Sequence, residues 1–137
     1  PVWEPGEGDS ELGGGLRPDL PFPYTDSEPL IPTESNREEY EEQLSSGAVN
    51  HGFVPLSTDG CGMNYILVVT AADPSAIGTV WAHDLPDDLG IRPLHDPDTG
   101  RPMRFLDWME RSMDRCCALL EDGEELYFLH AFARPPM

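Results

Sequence analysis

The chain has 137 residues, enough for one domain with its own hydrophobic core. It carries 26 acidic residues against eight arginines and no lysine, so its formal net charge at pH 7 is −18. Because this charge repels phosphate groups, the composition argues against direct binding of nucleic acid or of anionic membrane surfaces. It favours a basic protein as partner, and the alternative is an acidic surface that only keeps the protein in solution.

Cys61, Cys116 and Cys117 do not form the pattern of a disulfide framework, since their number is odd and two of them are adjacent. Free thiols favour a reducing compartment, and we expect the protein to be cytoplasmic. No apolar run approaches the roughly 20 residues that span a bilayer, and no signal peptide is visible. The sequence therefore predicts no membrane association.

The first stretch, residues 1–32, contains seven prolines and five glycines. This composition excludes a long helix or a central strand. We predict an irregular arm, or loops that dock on a second unit formed by residues 33–137. Docking is favoured by large apolar side chains within the stretch, namely Trp3, Leu20, Phe22, Tyr24, Leu30 and Ile31.

A helix is predicted over residues 33–46. Ser35 and Glu38 have the spacing of a capping box, and Tyr40 and Leu44 lie four residues apart on one face. The glycine that follows suits the end of the helix. Only a narrow apolar stripe can pack, because most other positions are polar or charged.

Four glutamates give this predicted helix a strongly anionic outer face, and they are Glu38, Glu39, Glu41 and Glu42. Residues 1–48 as a whole carry 12 acidic residues and two arginines, so more than half of the excess charge lies in the first third of the chain. Charge on an exposed helix can steer a basic partner during association. We therefore expect these glutamates to bind the partner.

Two β-rich runs flank a turn with two glycines. Residues 53–56 and 65–69 are apolar, and the segment between them contains Asp-Gly-Cys-Gly, a pattern typical of a β-hairpin. Because glycine permits positive φ, the backbone can reverse tightly there. We predict a structural turn formed by Asp59, Gly60 and Gly62. The second run suits a central strand covered on both faces.

Further elements follow along the chain. Residues 78–81 predict a third strand, and residues 91–94 predict a short edge strand, where proline is tolerated. Residues 103–121 have helical periodicity, with an apolar stripe of Phe105, Met109, Met113, Cys116 and Leu120 that is widened by Leu106, Trp108 and Leu119. Residues 124–132 suit either a short helix or a last strand. The prediction is an α+β fold, a mainly antiparallel sheet with helices packed against it.

The order of these motifs resembles the SUKH superfamily. The resemblance is carried by the hairpin FVPLSTDGCGMNYILVV, the strand GTVW at residues 78–81 and the helix start FLDW at residues 105–108. PFP at residues 21–23 and the acidic helix occupy similar places, so the resemblance covers about residues 20–120. The entry region departs from the family, because the usual N-terminal helices with a Leu-Pro motif have no counterpart in residues 1–32.

The resemblance implies a protein that acts by binding. The superfamily contains many bacterial toxin-immunity proteins, and many of the paired toxins are nucleases, whose substrate-binding surfaces must be basic. It implies an immunity protein that binds and neutralises a cognate toxin domain stoichiometrically, with no catalysis of its own. The alternative is a non-catalytic regulatory or scaffold module of the same fold, like the fungal regulators of cell-wall synthesis in the superfamily.

No residue cluster carries a convincing catalytic or metal-binding pattern. Cys61 has His51 and Asp59 nearby in sequence, but it lies between two glycines and no nucleophile motif surrounds it. The His-Asp pairs that begin at His83 and His95 match no common zinc or two-metal spacing, and we interpret both as loop residues. The sequence predicts no enzyme, no cofactor and no metal.

Overall fold

The computed structural model describes residues 15–58 and 62–122. Within these described residues, one four-stranded antiparallel sheet and two α-helices confirm the α+β prediction. In chain order they are α1 (Arg37–Ser46), β1 (Phe53–Thr58), β2 (Met63–Val68), β3 (Val80–Asp84), β4 (Gly90–Pro93) and α2 (Phe105–Glu121). Single 3-10 turns occur at Ala48–Asn50 and Pro74–Ala76. Residues 124–132, for which two interpretations were open, lie outside the described residues.

The sheet is a meander in the order β1-β2-β3-β4, so β2 and β3 are central. β1 pairs with β2 from Phe53 opposite Val68 to Thr58 opposite Asn64, with a bulge near Pro55. Because proline cannot donate to a ladder, its place on the edge strand β1 is physically consistent. The predicted hairpin and edge strand are thus present, each with bounds that differ by a few residues.

Side chains of the central strands alternate between two apolar clusters. Ile66, Val68 and Trp81 lie in one cluster with residues of the arm and with Tyr40 of α1. On the neighbouring positions, Tyr65, Val80 and Ala82 lie in the other cluster with Met103 and Trp108. The sheet is therefore covered on both faces, by the arm and α1 on one side and by α2 on the other.

The described part of the arm, residues 15–32, lies in contact with the sheet through its backbone and its side chains. The Phe22 amide donates to the Thr70 carbonyl at 2.8 Å, and Leu30 and Ile91 exchange two backbone hydrogen bonds. The Phe22 ring is buried edge-on against Trp81, with 4.9 Å between ring centroids. These contacts make the arm a structural part of the core.

The buried face of α2 contains only part of the predicted stripe, since Trp108 is buried and Phe105 and Met109 pack against the same cluster. Trp108 and Ser112 are the buried residues, and the rings of Trp108 and Tyr65 lie 6.0 Å apart. Leu106, Met113 and Leu120 are instead 75%, 55% and 61% exposed. The predicted assignment of Met113 and Leu120 to the core was wrong, because the helix is rotated so that the line through Phe105, Trp108 and Ser112 faces the sheet.

Candidate protein-binding site

The helix α1 presents the acidic face that the sequence predicted as a partner-binding surface. It begins at Arg37, later than predicted, and Ser35 makes no capping bond to it. The Asn36 side chain instead fixes the preceding turn, because it accepts from the Thr33 amide at 2.6 Å and donates to the Ile31 carbonyl at 2.8 Å. The turn from the arm into α1 is therefore closed locally, and the capping-box prediction was wrong.

The four glutamates of α1 are all exposed, and they are Glu38, Glu39, Glu41 and Glu42. Across residues 15–58 and 62–122, none of them forms an ion pair. Like charges three or four residues apart on a helix repel each other. Glu38 and Glu39 lie in the first turn, where the helix dipole favours negative charge. The result is an anionic surface whose carboxylates form no ion pair with the described part of the chain.

The buried residue of α1 is Tyr40, which packs into the core of the domain. Tyr40 is 2% exposed, whereas Leu44, expected on the same buried face, is 37% exposed. The Arg37 guanidinium lies 5.7 Å from the centroid of the Tyr40 ring and also contacts Asp88 at 3.3 Å. Burial, with the nearby charges of Asp88 and Asp84, raises the pKa of Tyr40. The phenol is therefore neutral at physiological pH.

A second tyrosine joins the arm to α1. The Tyr24 hydroxyl donates to the Gln43 side-chain oxygen at 3.0 Å, and burial raises the pKa of Tyr24. The bond spans 19 residues of sequence. In the sequence, Tyr24 is recognisable only as an apolar docking residue, and Gln43 stands out in no pattern. Nothing in the local sequence pattern signals this pair, because its partners come from two different segments.

The structure tests only part of the predicted hairpin turn. Asp59, Gly60 and Cys61 lie outside the described residues. Gly62 has φ of 88°, a conformation that disfavours side chains with a Cβ. It precedes the β2 strand directly, and the Thr58 hydroxyl donates to the Met63 carbonyl across the reversal at 3.3 Å. A glycine is therefore required by the backbone at this one described position of the turn.

His83 was predicted to be a loop residue, and this prediction was wrong. It lies on β3, is buried, and its Nε2 is 2.9 Å from the Val49 carbonyl, to which it donates. Burial lowers the pKa of His83, and the hydrogen bond to Val49 opposes this shift to a smaller extent. β3 continues beyond the predicted third strand to Asp84, which places the His83 ring in the core beside Phe53.

His95 lies in the exposed connection between β4 and α2, as predicted. Its Nε2 contacts an Asp26 carboxylate oxygen at 2.5 Å and so links that connection to the arm. Arg111 of α2 holds the same connection through Asp96 at 3.0 Å and Asp98 at 2.7 Å. Backbone amides and this guanidinium lower the pKa of Asp96. His83 on β3 and His95 in this connection thus both take part in contacts that hold the fold together.

Within residues 15–58 and 62–122 no group of three or more His, Cys, Asp or Glu side chains is placed to hold a metal ion. Cys116 is half-buried and Cys117 is exposed on α2, and both thiols are free. In the same described ranges, no helix has the length and hydrophobicity needed to cross a membrane. The candidate site is thus a charged surface on α1 with an adjoining contact to the arm.

No protein-family model, curated protein or solved structure matches this chain. The similarity to the SUKH superfamily accordingly rests on the motifs quoted above and on their order along the chain.

Proposed function

We propose that this protein is a cytoplasmic immunity protein, which binds a cognate nuclease-type toxin domain and neutralises it stoichiometrically. The observation that carries the proposal is the exposed acidic face of α1, whose four glutamates have no ion-pair partner among the described residues. The motif order that resembles the SUKH superfamily supports the same function. A basic protein is the natural complement of a chain with a net charge of −18.

The physical basis of neutralisation is competition for one surface. A nuclease must hold phosphates, so its substrate-binding surface is basic. An acidic protein that covers this surface excludes the substrate without any chemistry. Electrostatic attraction raises the association rate of such a pair, and the effect is screened over about 8 Å at physiological salt. The proposed mechanism therefore needs complementary charge and buried contact area, and no catalytic residue.

The histidines of β3 and of the connection after β4 are consistent with a non-catalytic role. His83 is buried and bonded to the Val49 carbonyl, and His95 is bonded to Asp26. Because His83 is buried, its ring cannot reach a substrate proton, and the accessible His95 ring is held by the Asp26 carboxylate. The structural roles of both residues account for their positions in the fold.

The test is an inhibition titration with the toxin domain encoded by the neighbouring gene. Nuclease activity of that domain is measured with increasing amounts of this protein. We expect activity to fall in proportion and to vanish at one equivalent, and the mixture to elute as a one-to-one complex. A complex that keeps full nuclease activity would instead support the regulatory or scaffold alternative. Unaltered activity with no complex would refute both.

A further inference from the structure

A groove of about 570 Å³ lies between the arm and α1. Pro23, Tyr24 and residues 27–31 line one side, and the other side is lined by residues of α1 and by Asn36 before it. Three of the lining side chains are buried, namely Tyr24, Leu30 and Tyr40. Glu28, Ile31 and Glu39 are lining residues that remain exposed. The volume falls in the roughly 300–1,000 Å³ range of ligand-binding clefts.

The groove combines negative charge with apolar and aromatic surface. Glu28 comes from the arm and Glu39 from α1, and neither forms an ion pair with another described residue. Pro23, Pro29 and Ile31 supply apolar surface beside these carboxylates. An anionic ligand is excluded by the two charges, and a purely apolar ligand would remove water from them without compensation. The lining therefore selects a ligand that is both cationic and partly apolar.

We propose, on the basis of the proposed function that makes the partner a basic protein, that this groove receives a short partner segment bearing an arginine. A guanidinium presents five N–H donors and pairs with carboxylates in a planar geometry. Its methylene stem can lie on apolar surface while the charged end reaches the glutamates. Within this chain, the Arg37 guanidinium already lies over the ring of Tyr40, a residue of the same groove, at 5.7 Å from the centroid.

The Tyr24–Gln43 hydrogen bond holds the two sides of the groove together. It joins the arm to α1 at 3.0 Å, and both residues line the groove. A preformed groove loses little conformational entropy when it binds, which favours slow dissociation. The outer acids of α1 would thus act on the approach of the partner, and the groove would act on the lifetime of the complex.

The proposal is tested first with a defined probe, an acetylated Gly-Arg-Gly peptide amide, and with the corresponding Gly-Lys-Gly peptide as comparison. Binding is followed by changes in the backbone amide NMR signals of the whole protein. We expect the arginine peptide to shift signals of Tyr24, Gln43 and their neighbours, and to bind more tightly than the lysine peptide. Shifts confined to other surfaces would overturn the site, and equal affinities would overturn the choice of arginine.

A pair of double variants tests which acids hold the peptide. Glu28→Gln with Glu39→Gln removes the two groove carboxylates, and Glu41→Gln with Glu42→Gln removes two exposed carboxylates that do not line the groove. Both change the net charge by the same amount. Because charge-assisted hydrogen bonds are lost only in the groove variant, we expect its dissociation constant for the arginine peptide to rise about fivefold. Equal weakening in both variants would overturn the proposal.

The same two double variants separate this inference from the proposed function. In a complex with the toxin domain, the groove variant should dissociate severalfold faster and the control variant should dissociate at the parental rate. If the toxin domain binds and both variants dissociate alike, the groove inference fails and the proposed function stands. If the toxin domain never binds while the arginine peptide still occupies the groove, the proposed function fails and the groove assignment stands.

Discussion

Leu30 and Ile91 exchange two backbone hydrogen bonds, of 3.1 Å and 2.8 Å, and thereby join the arm to the edge strand β4. Their contact passes directly over Gly90, where a Cβ would collide with the Leu30 carbonyl. A second close approach occurs at Gly52, where a Cβ would collide with the Phe22 backbone. The arm is thus held against the sheet at two glycines, and one side of the candidate groove depends on this attachment.

The close approach at Gly90 leads to the first prediction. Gly90 and Gly47 share φ of 79°, but a Cβ on Gly47 would meet nothing within 4 Å. Gly47→Ala should therefore lose about 1 kcal/mol of stability from backbone strain alone. Gly90→Ala should lose about 1–3 kcal/mol more from the clash. Urea denaturation measures the free energy of unfolding of both variants. Equal losses would show that the Leu30 carbonyl does not lie close to Gly90.

The hairpin turn leads to the second prediction. Because Gly62 has φ of 88°, Gly62→Val should destabilise the protein by about 1–3 kcal/mol. Asparagine tolerates positive φ better than valine, so Gly62→Asn should retain more of the stability. Thermal denaturation of the two variants checks the order. Equal melting temperatures of the valine and asparagine variants would contradict the assigned turn conformation.

The orientation of α2 leads to the third prediction. Trp108 is buried against Tyr65, whereas Met113 is largely exposed. Trp108→Ala should reduce the free energy of unfolding by about 3–5 kcal/mol, because it removes a large buried ring. Met113→Ala should change it by about 0.5 kcal/mol or less, as an exposed substitution does. The reverse order would place Met113, and not Trp108, against the sheet.

Burial of His83 leads to the fourth prediction, on pH dependence. Its pKa is lowered in the folded state, so between that value and the ordinary pKa of 6.5 the unfolded chain binds the proton and the folded chain does not. The contribution of His83 to the free energy of unfolding is therefore fully present above pH 6.5. It is lost as the pH falls below that value, by up to about 1.4 kcal/mol per pH unit. Denaturation at pH 7, 6 and 5 measures this loss.

The control for that experiment is His83→Gln, which removes the titration and keeps a side-chain amide able to donate to the Val49 carbonyl. Its stability should depend less on pH in this range than that of the parent. Other titrating groups affect both proteins equally, so the difference between the two slopes reports His83. Identical slopes would contradict the assignment of a lowered pKa to this residue.

The central part of the fold could be predicted from local patterns. The apolar run of β2 indicated a strand covered on both faces, and the two-residue alternation places Ile66 and Tyr65 in different clusters. The periodicity of α2 indicated the helix but not which line of residues faces the sheet. Leu106 and Met113 on the exposed face are as apolar as Phe105 and Met109 on the face toward the sheet. Composition alone therefore does not indicate which face of α2 is buried.

Features made by distant segments could not be predicted in the same way. His83 is buried because Val49, 34 residues away, offers a carbonyl to its ring. The groove likewise forms only when residues 23–31 lie beside α1. The acidic face could be predicted, because four glutamates around one buried tyrosine are a local pattern. The groove next to it depends on tertiary contacts that no local pattern encodes.

The fifth prediction concerns the acidic face itself. The triple variant Glu38→Lys, Glu39→Lys and Glu42→Lys reverses charge on α1. A matched triple variant of Asp107, Glu110 and Asp114 to Lys makes the same charge change on exposed positions of α2. Both should fold, because solvent-facing substitutions seldom alter stability strongly. Only the α1 variant should lose the steering contribution of the proposed interface.

The most direct measurement is the association rate of each protein with the toxin domain, followed by stopped-flow fluorescence at low and at high salt. We expect the α1 variant to associate severalfold more slowly than the parent at low salt, and the α2 variant to be less affected. The difference between the α1 variant and the parent should shrink at high salt, because charges are screened. An association rate that changes neither with the α1 substitutions nor with the salt concentration would contradict the proposed interface. The acidic face would then serve solubility alone.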